Sequence, residues 1–218
     1  MVIHTTAFMA IMYQARFYES IITSMQRPAE KKLWRDYRKI FITTPRIQDG
    51  VEFWRSHKTV VTEVSRAYDV APEIIVAIIG VETFYGRNVG YYKVLDALST
   101  LAFGYPKRAQ FFRKELQEFL LLNREENDIG IITRTGSYAG AMGLPQFMPS
   151  NYRTLAVDQD KDKRRDLWNS PADIVGSIAN YFRHHGWQKE QPIAVKVTHM
   201  KKSLENLISL KATEPKLS

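Results

Sequence analysis

The sequence contains no cysteine, which excludes a disulfide framework, a zinc–thiolate centre and a cysteine-borne lipid anchor. It also lacks an apolar run of the roughly 18–20 residues that a membrane-spanning helix needs; the longest stretch, Ile74 to Val81, stops at Glu82. The opening residues MVIHTTAFMAIM have neither a basic leading region nor an unbroken apolar segment, so they do not read as a secretory signal. There is no internal repeat and no low-complexity block. The five histidines show no HExxH or comparable spacing, and the adjacent His184 and His185 would point apart on a helix, so a histidine metal site is not expected.

What is present is enough for one substantial core: 218 residues with 44% apolar side chains. Lys and Arg outnumber Asp and Glu by 31 to 23, a net charge of +8. Such a balance favours an anionic partner, whether nucleic acid, an acidic membrane surface or a carboxylate-rich polymer, and by itself does not choose among them.

The apolar spacing is helical. Phe53, Trp54, Val60, Val61, Val64, Ala67 and Tyr68 approximate a single helix face, and Pro72 with Glu73 opens a second helix reaching about Glu82. That second helix, PEIIVAIIGVE, is apolar on every side, which predicts the central core helix. After a loop rich in Gly and Tyr (Gly86 to Tyr92), Ala109, Phe112, Leu116, Phe119 and Leu120 predict a long amphipathic helix. Ser170, Pro171 and Asp173 open a last one, with Ile174, Val175, Ile178, Tyr181 and Phe182 facing inward and Gly186 closing it. Beyond Trp187 only AVKVTHM suggests a short strand. A mainly α domain over residues 1–190, with minor β content and a weakly ordered tail over 191–218, is the expectation.

Glu82 ends the apolar helix, with Ile78 and Ile79 one turn back. Burial there would raise its pKa, and the negative end of the helix dipole acts the same way, so it suits a general acid; a glutamate at a helix end also reads simply as a solvated residue. In GSYAGAMGLPQFMPS, the glycines allow a ligand close to the backbone, while Ser137 and Gln146 offer hydrogen bonds; a tight turn with close helix packing explains the same glycines.

Four ordered motifs, GVETFYGRN (Gly80 to Asn88), LDALSTLAF (Leu95 to Phe103), GSYAGAMGLPQFMPS (Gly136 to Ser150) and DLWNSPADIVGSIANYF (Asp166 to Phe182), together resemble the membrane-bound lytic murein transglycosylase B family. The resemblance runs from about Ala15 to Gln188, with RPAEKKLWRDY (Arg27 to Tyr37) and YRKIF (Tyr37 to Phe41) fitting the family's leading segment. It implies a lysozyme-like helical domain with a cleft for the glycan strands of peptidoglycan, and no required metal or organic cofactor. It implies that Glu82 protonates the oxygen linking N-acetylmuramic acid to N-acetylglucosamine and then, as base, lets the muramoyl C6 hydroxyl close a 1,6-anhydro ring. By the same resemblance Ser137, Gln146, Tyr37 and Tyr181 contact substrate, and Lys107 and Arg108 lie near peptide-stem carboxylates. Each tyrosine also reads as a core or boundary residue, and Lys107 and Arg108 as a solvated helix start.

Asp158, Asp160, Asp162 and Asp166 fall at positions 1, 3, 5 and 9 of an EF-hand-like loop over 158–173, a pattern for calcium or another hard cation. Lys163 stands at the sixth position where glycine is usual and Asn169 at the twelfth where a bidentate acid is usual, with Arg164 and Arg165 adding positive charge. Asp173 reads either as a late ligand or as a helix-capping residue. The family places the protein in the periplasm or cell envelope, with cell-wall synthesis or remodelling proteins as potential partners. It also carries a further segment after its Gly-Trp motif, including a Tyr-Asn pair that does not recur after position 188 here, so the expectation is a shortened chain. Three other readings stay open: a peptidoglycan-binding protein of the same fold that has lost turnover, a hydrolytic muramidase, and a nucleic-acid-binding protein suggested by the charge and the Lys161 to Arg165 cluster. No recognised nucleic-acid motif supports the last, and the expectation is no nucleic-acid partner.

Overall fold

The computed structural model describes residues 5–26, 33–126 and 130–193. Part of Arg27 to Tyr37 and the whole of AVKVTHM therefore lie outside the described residues. Within them the chain is mostly helical, and its single named sheet has two short strands.

The stretch from Phe53 to Tyr68 is two helices. Helix α4 (Thr44–Ser56) follows α1 (Thr5–Met12), α2 (Glu19–Gln26) and α3 (Trp34–Phe41); a single residue separates it from α5 (Lys58–Tyr68). His57 is the break: its ψ of 24° leaves the helical path, its N–H closes α4 on the Phe53 carbonyl, and its ring packs on Phe53 at 4.6 Å. Asp69, at φ 56°, turns the chain into α6 (Pro72–Thr83).

Helix α6 is not the central helix that its all-round apolarity predicts. It buries Ile75, Val76, Ile79, Gly80 and Thr83 but leaves Val81 exposed and Ile78 half-buried. The central place belongs to α7 (Val94–Gly104), buried continuously from Val94 to Ala102. Its small and aliphatic residues let neighbours approach on every side: α2, the long α8 (Ala109–Glu125) and the short α9 (Gly130–Thr133) pack around it. Helix α8 turns Phe112, Leu116, Phe119 and Leu120 inward as their spacing requires. Glu115 of α8 is also buried, because both carboxylate oxygens are occupied at the start of α10 (Pro149–Leu155): they accept from the Ser150 N–H at 2.9 Å and the Ser150 hydroxyl at 2.8 Å.

Two cores result. One surrounds α7, α8 and α10; the other joins α5, α6 and α11 (Pro171–His184) through Val61, Val64, Ile75, Ile79, Ile174 and Ile178. The α11 helix starts as its sequence requires, with the Ser170 hydroxyl accepting from the Asp173 N–H at 3.2 Å. Between the cores run β1 (Tyr92–Lys93) and β2 (Thr135–Gly136), antiparallel with Tyr92 opposite Gly136, and the turn-rich segment from Ser137 to Phe147.

Candidate active site

Two open cavities meet at Glu82. The larger, about 470 Å³, runs along Arg87 to Tyr92, Ser137 and Tyr138; the smaller, about 180 Å³, is walled by Ile78, Pro145, Phe147, Met148, Asn151 and the α11 residues Ile178, Tyr181 and Phe182. Glu82 and Gln146 line both. The Glu82 carboxyl reaches solvent at this junction, yet the protein crowding it removes enough water to raise its pKa above the usual carboxylate range.

The residues just after Glu82 hold it in place. The fully buried Thr83 hydroxyl sits 3.1 Å from the Leu144 carbonyl and 3.3 Å from that of Ile79, and it accepts from the Gly86 N–H at 3.2 Å. Phe84 and Tyr85 both adopt the left-handed conformation, at φ 52° and 55°, so the chain reverses at once. That turn drives the Tyr85 hydroxyl between α4 and α6, where a Cβ on Gly50 or Gly80 would stand only 2.3 or 2.4 Å from it. Glycine is needed at both positions for this close approach.

Gln146 also has a left-handed backbone, at φ 53°, and its side-chain amide donates to the carbonyls of Val89 (3.2 Å) and Gly143 (2.9 Å). Its donors are therefore committed to the two loops that form the cavity wall, which leaves its carbonyl oxygen for a ligand. The Ser137 hydroxyl oxygen accepts from the N–H groups of Ala139 (3.3 Å) and Ala141 (3.0 Å), an arrangement that leaves its hydrogen as a donor. Tyr181 lies in the smaller cavity, packed against Phe147 at 5.5 Å and His185 at 4.3 Å.

Glu82, Ser137, Gln146 and Tyr181 are thus brought together. The other three residues read as substrate contacts line neither cavity. Tyr37 packs on Trp34 and Phe41 along α3, and Lys107 and Arg108 form an exposed 3-10 turn (Pro106–Arg108) after α7, with Arg108 over Phe111 at 4.4 Å. Asn151, Tyr91 and Tyr92 join the site without having been singled out in sequence. Tyr91 and Tyr92 stand in the Gly- and Tyr-rich loop already visible there; Asn151 carried no signal.

In the acidic loop, Asp158, Asp160 and Asp162 bring carboxylate oxygens within 4.8 Å of one another. The loop is shaped by its own N–H groups: those of Asp162 and Lys163 bond Asp158 at 3.1 and 2.9 Å. Lys163, at φ 74°, adopts the left-handed conformation that glycine normally supplies at this position. Asp166 stands apart from the three. Its oxygens accept from the Trp168 and Asn169 N–H groups and the Asn169 amide; burial raises its pKa, but these bonds lower it further, leaving it below the ordinary value. Asp173 is buried and accepts from the Gln159 and Asp166 N–H groups at 2.7 and 2.8 Å, so it clasps the loop's two ends while its own N–H receives the Ser170 cap. Of the basic cluster, Arg165 is ion-paired with Glu126.

The domain is mainly helical and lysozyme-like, with one carboxyl at the meeting point of the two cavities, and comparison with known proteins agrees on the fold. The chain belongs to the Transglycosylase SLT domain family, which it matches over residues 2–217. It is 44% identical over 206 residues to membrane-bound lytic murein transglycosylase B of Escherichia coli, covering 90% of this chain and 56% of that protein. Among solved structures it is similar to soluble lytic transglycosylase SltB1 of Pseudomonas aeruginosa (TM-score 0.82, 52% identity, 86% of this chain and 63% of that one). It is also similar to the Escherichia coli lytic transglycosylase SLT35 in complex with calcium (TM-score 0.79, 45% identity, 86% and 59%). Pseudomonas aeruginosa SltB3, solved with NAG-anhNAM-pentapeptide, is a further relative (TM-score 0.75, 30% identity, 87% and 50%). The chain thus spans half to somewhat under two thirds of the length of these relatives.

Proposed function

We propose that this chain is a lytic murein transglycosylase that cleaves the β-1,4 bond between N-acetylmuramic acid and N-acetylglucosamine in peptidoglycan and leaves 1,6-anhydro ends. One observation carries the reading: among the described residues Glu82 is the sole carboxylate lining the two cavities. Ordinary glycosidases need two, roughly 5–9.5 Å apart, one of them to serve as nucleophile or to activate water. A lone acid suits a reaction in which the substrate supplies its own nucleophile.

Protonated Glu82 gives its proton to the bridging oxygen as the bond from that oxygen to C1 breaks. The C6 hydroxyl oxygen then bonds to C1 and returns its proton to Glu82, so the acid is restored and no water is consumed. The raised pKa keeps the proton available for the first step. The Ser137 hydroxyl and the Gln146 carbonyl oxygen suit hydroxyl and acetamido groups, and Tyr181 gives an aromatic face for a sugar ring. The anhydro-sugar ligand of SltB3 supports the same product class. The compartment that fits is the periplasm or cell envelope, where the substrate lies.

The three loop carboxylates lie close enough together to share a hard cation, and SLT35 was solved with calcium. We place any such ion at Asp158, Asp160 and Asp162, 
as a structural group outside the chemistry, held weakly because no acid stands at the twelfth position.

The test is digestion of purified peptidoglycan by this chain and by Glu82→Gln, followed by mass spectrometry of the released muropeptides. Anhydro products that disappear in the variant are expected. Reducing ends would make the protein a hydrolytic muramidase, and binding without release a peptidoglycan-binding protein.

A further inference from the structure

Tyr91 is 80% exposed, although it lines the same cavity as Glu82. Its ring is nevertheless held in place. Tyr92 lies behind it with ring centroids 4.5 Å apart, and the Tyr92 hydroxyl donates to the Ser20 hydroxyl at 2.8 Å while Tyr18 packs edge-on at 5.8 Å. The backbone beneath is fixed as well: Tyr92 pairs with Gly136, and Gly90, at φ 94°, approaches that strand so closely that a Cβ would meet the Gly136 carbonyl oxygen at 1.9 Å. An aromatic ring with one face backed and the other in solvent has already lost most of the freedom that binding would cost it.

The surroundings indicate what would cover that face. Among the described residues the one cation lining the larger cavity, Arg87, is ion-paired with Asp49 at 2.7 Å; besides Val89, Gly90 and Glu82, the rest of the wall is aromatic or neutral polar, with Asn88, Ser137, Tyr138 and Gln146 beside Tyr91 and Tyr92. Rings beside hydroxyl and amide groups, with no uncommitted charge except the acid itself, match a neutral sugar better than an anionic ligand.

We propose that Tyr91, backed by Tyr92, is a stacking platform for a further pyranose ring of the glycan strand, at the rim of the larger cavity and away from the bond that Glu82 cleaves. The proposal rests on the glycan-cleaving reading and adds to it a determinant of strand length. Tyr91 contributes a ring face that only a strand long enough to leave the centre can use.

The test uses the Glu82→Gln chain, which lacks the acid that cleavage needs, and chitin oligomers of three and six N-acetylglucosamine units as probes in isothermal titration calorimetry. The hexamer is expected to bind more tightly than the trimer. Adding Tyr91→Ala should cut hexamer affinity roughly 2- to 12-fold with little effect on the trimer, and Tyr91→Phe, which keeps the ring, should restore it. Equal affinities with and without the ring, equal losses for both oligomers, or a fall in melting temperature without a change in binding would each overturn the platform. Failure of either oligomer to bind, with no anhydro product from the unmutated chain, would instead remove the glycan reading and the platform with it.

Discussion

The buried hydroxyl of Thr83 lies 3.1 Å from the carbonyl oxygen of Leu144, tying the helix that carries Glu82 to the turn that carries Gln146. The acid and the wall facing it are therefore set relative to each other by one short polar contact inside the second core. Moving either partner moves the junction of the cavities.

Thr83→Val keeps the shape but removes the hydroxyl, leaving the Leu144 carbonyl and the Gly86 N–H without this partner. A loss of ~1–3 kcal/mol is expected in urea unfolding, with a fall in muropeptide release from the chain that remains folded. Thr83→Ser keeps the bond and should retain most of both.

Glu82→Gln should lower turnover by about 10²- to 10⁴-fold, the usual worth of a general acid–base group. It should also stabilise the fold at neutral pH. The folded-state pKa of Glu82 is raised, so ionisation costs more in the folded than in the unfolded chain; the penalty is absent below the ordinary value of 4.5 and grows as pH rises through the folded pKa. Melting curves of the two proteins should coincide well below the ordinary value of 4.5 and separate as pH rises past it, with the variant higher.

Gly80→Ala places a methyl group where the Tyr85 hydroxyl sits. The expected result is a loss of about 1–3 kcal/mol from overpacking together with reduced activity, since α6 must shift away from α4. Removing the hydroxyl in Gly80→Ala/Tyr85→Phe should recover part of the stability, as a double-mutant cycle would record.

Lys163→Gly replaces a left-handed lysine by the residue that adopts this conformation freely. Stability should rise by about 1 kcal/mol, and the shift in melting temperature on adding millimolar calcium should grow, because a positive charge leaves the loop. A calcium-independent melting temperature in both proteins would count against cation binding at Asp158, Asp160 and Asp162.

Much of the candidate site is legible in the sequence. Glu82, Ser137, Gln146 and Tyr181 sit in compact motifs, where local spacing carries most of the geometry. Tyr37, Lys107 and Arg108 lie on a peripheral helix and an exposed turn, whose position relative to the cavities is not encoded in nearby residues. The acidic loop is readable as a loop, but which carboxylates converge is not: Asp158, Asp160 and Asp162 come within 4.8 Å of one another, whereas Asp166 and Asp173 stand outside that group.

By itself the sequence determined the helical class, the ends of α6 and α11 to within a residue or two, and the placement of Glu82 at a helix terminus, because periodicity and capping act over one or two turns. It also carried the family motifs. Only the tertiary structure decided that α7 rather than α6 lies at the centre, that His57 divides one apolar face into two helices, and that Glu82 meets two cavities with no second acid among the described residues in their walls. An apolar helix reads alike whether its last open face meets a neighbouring helix or a cleft; which of these occurs depends on contacts between residues far apart in the chain.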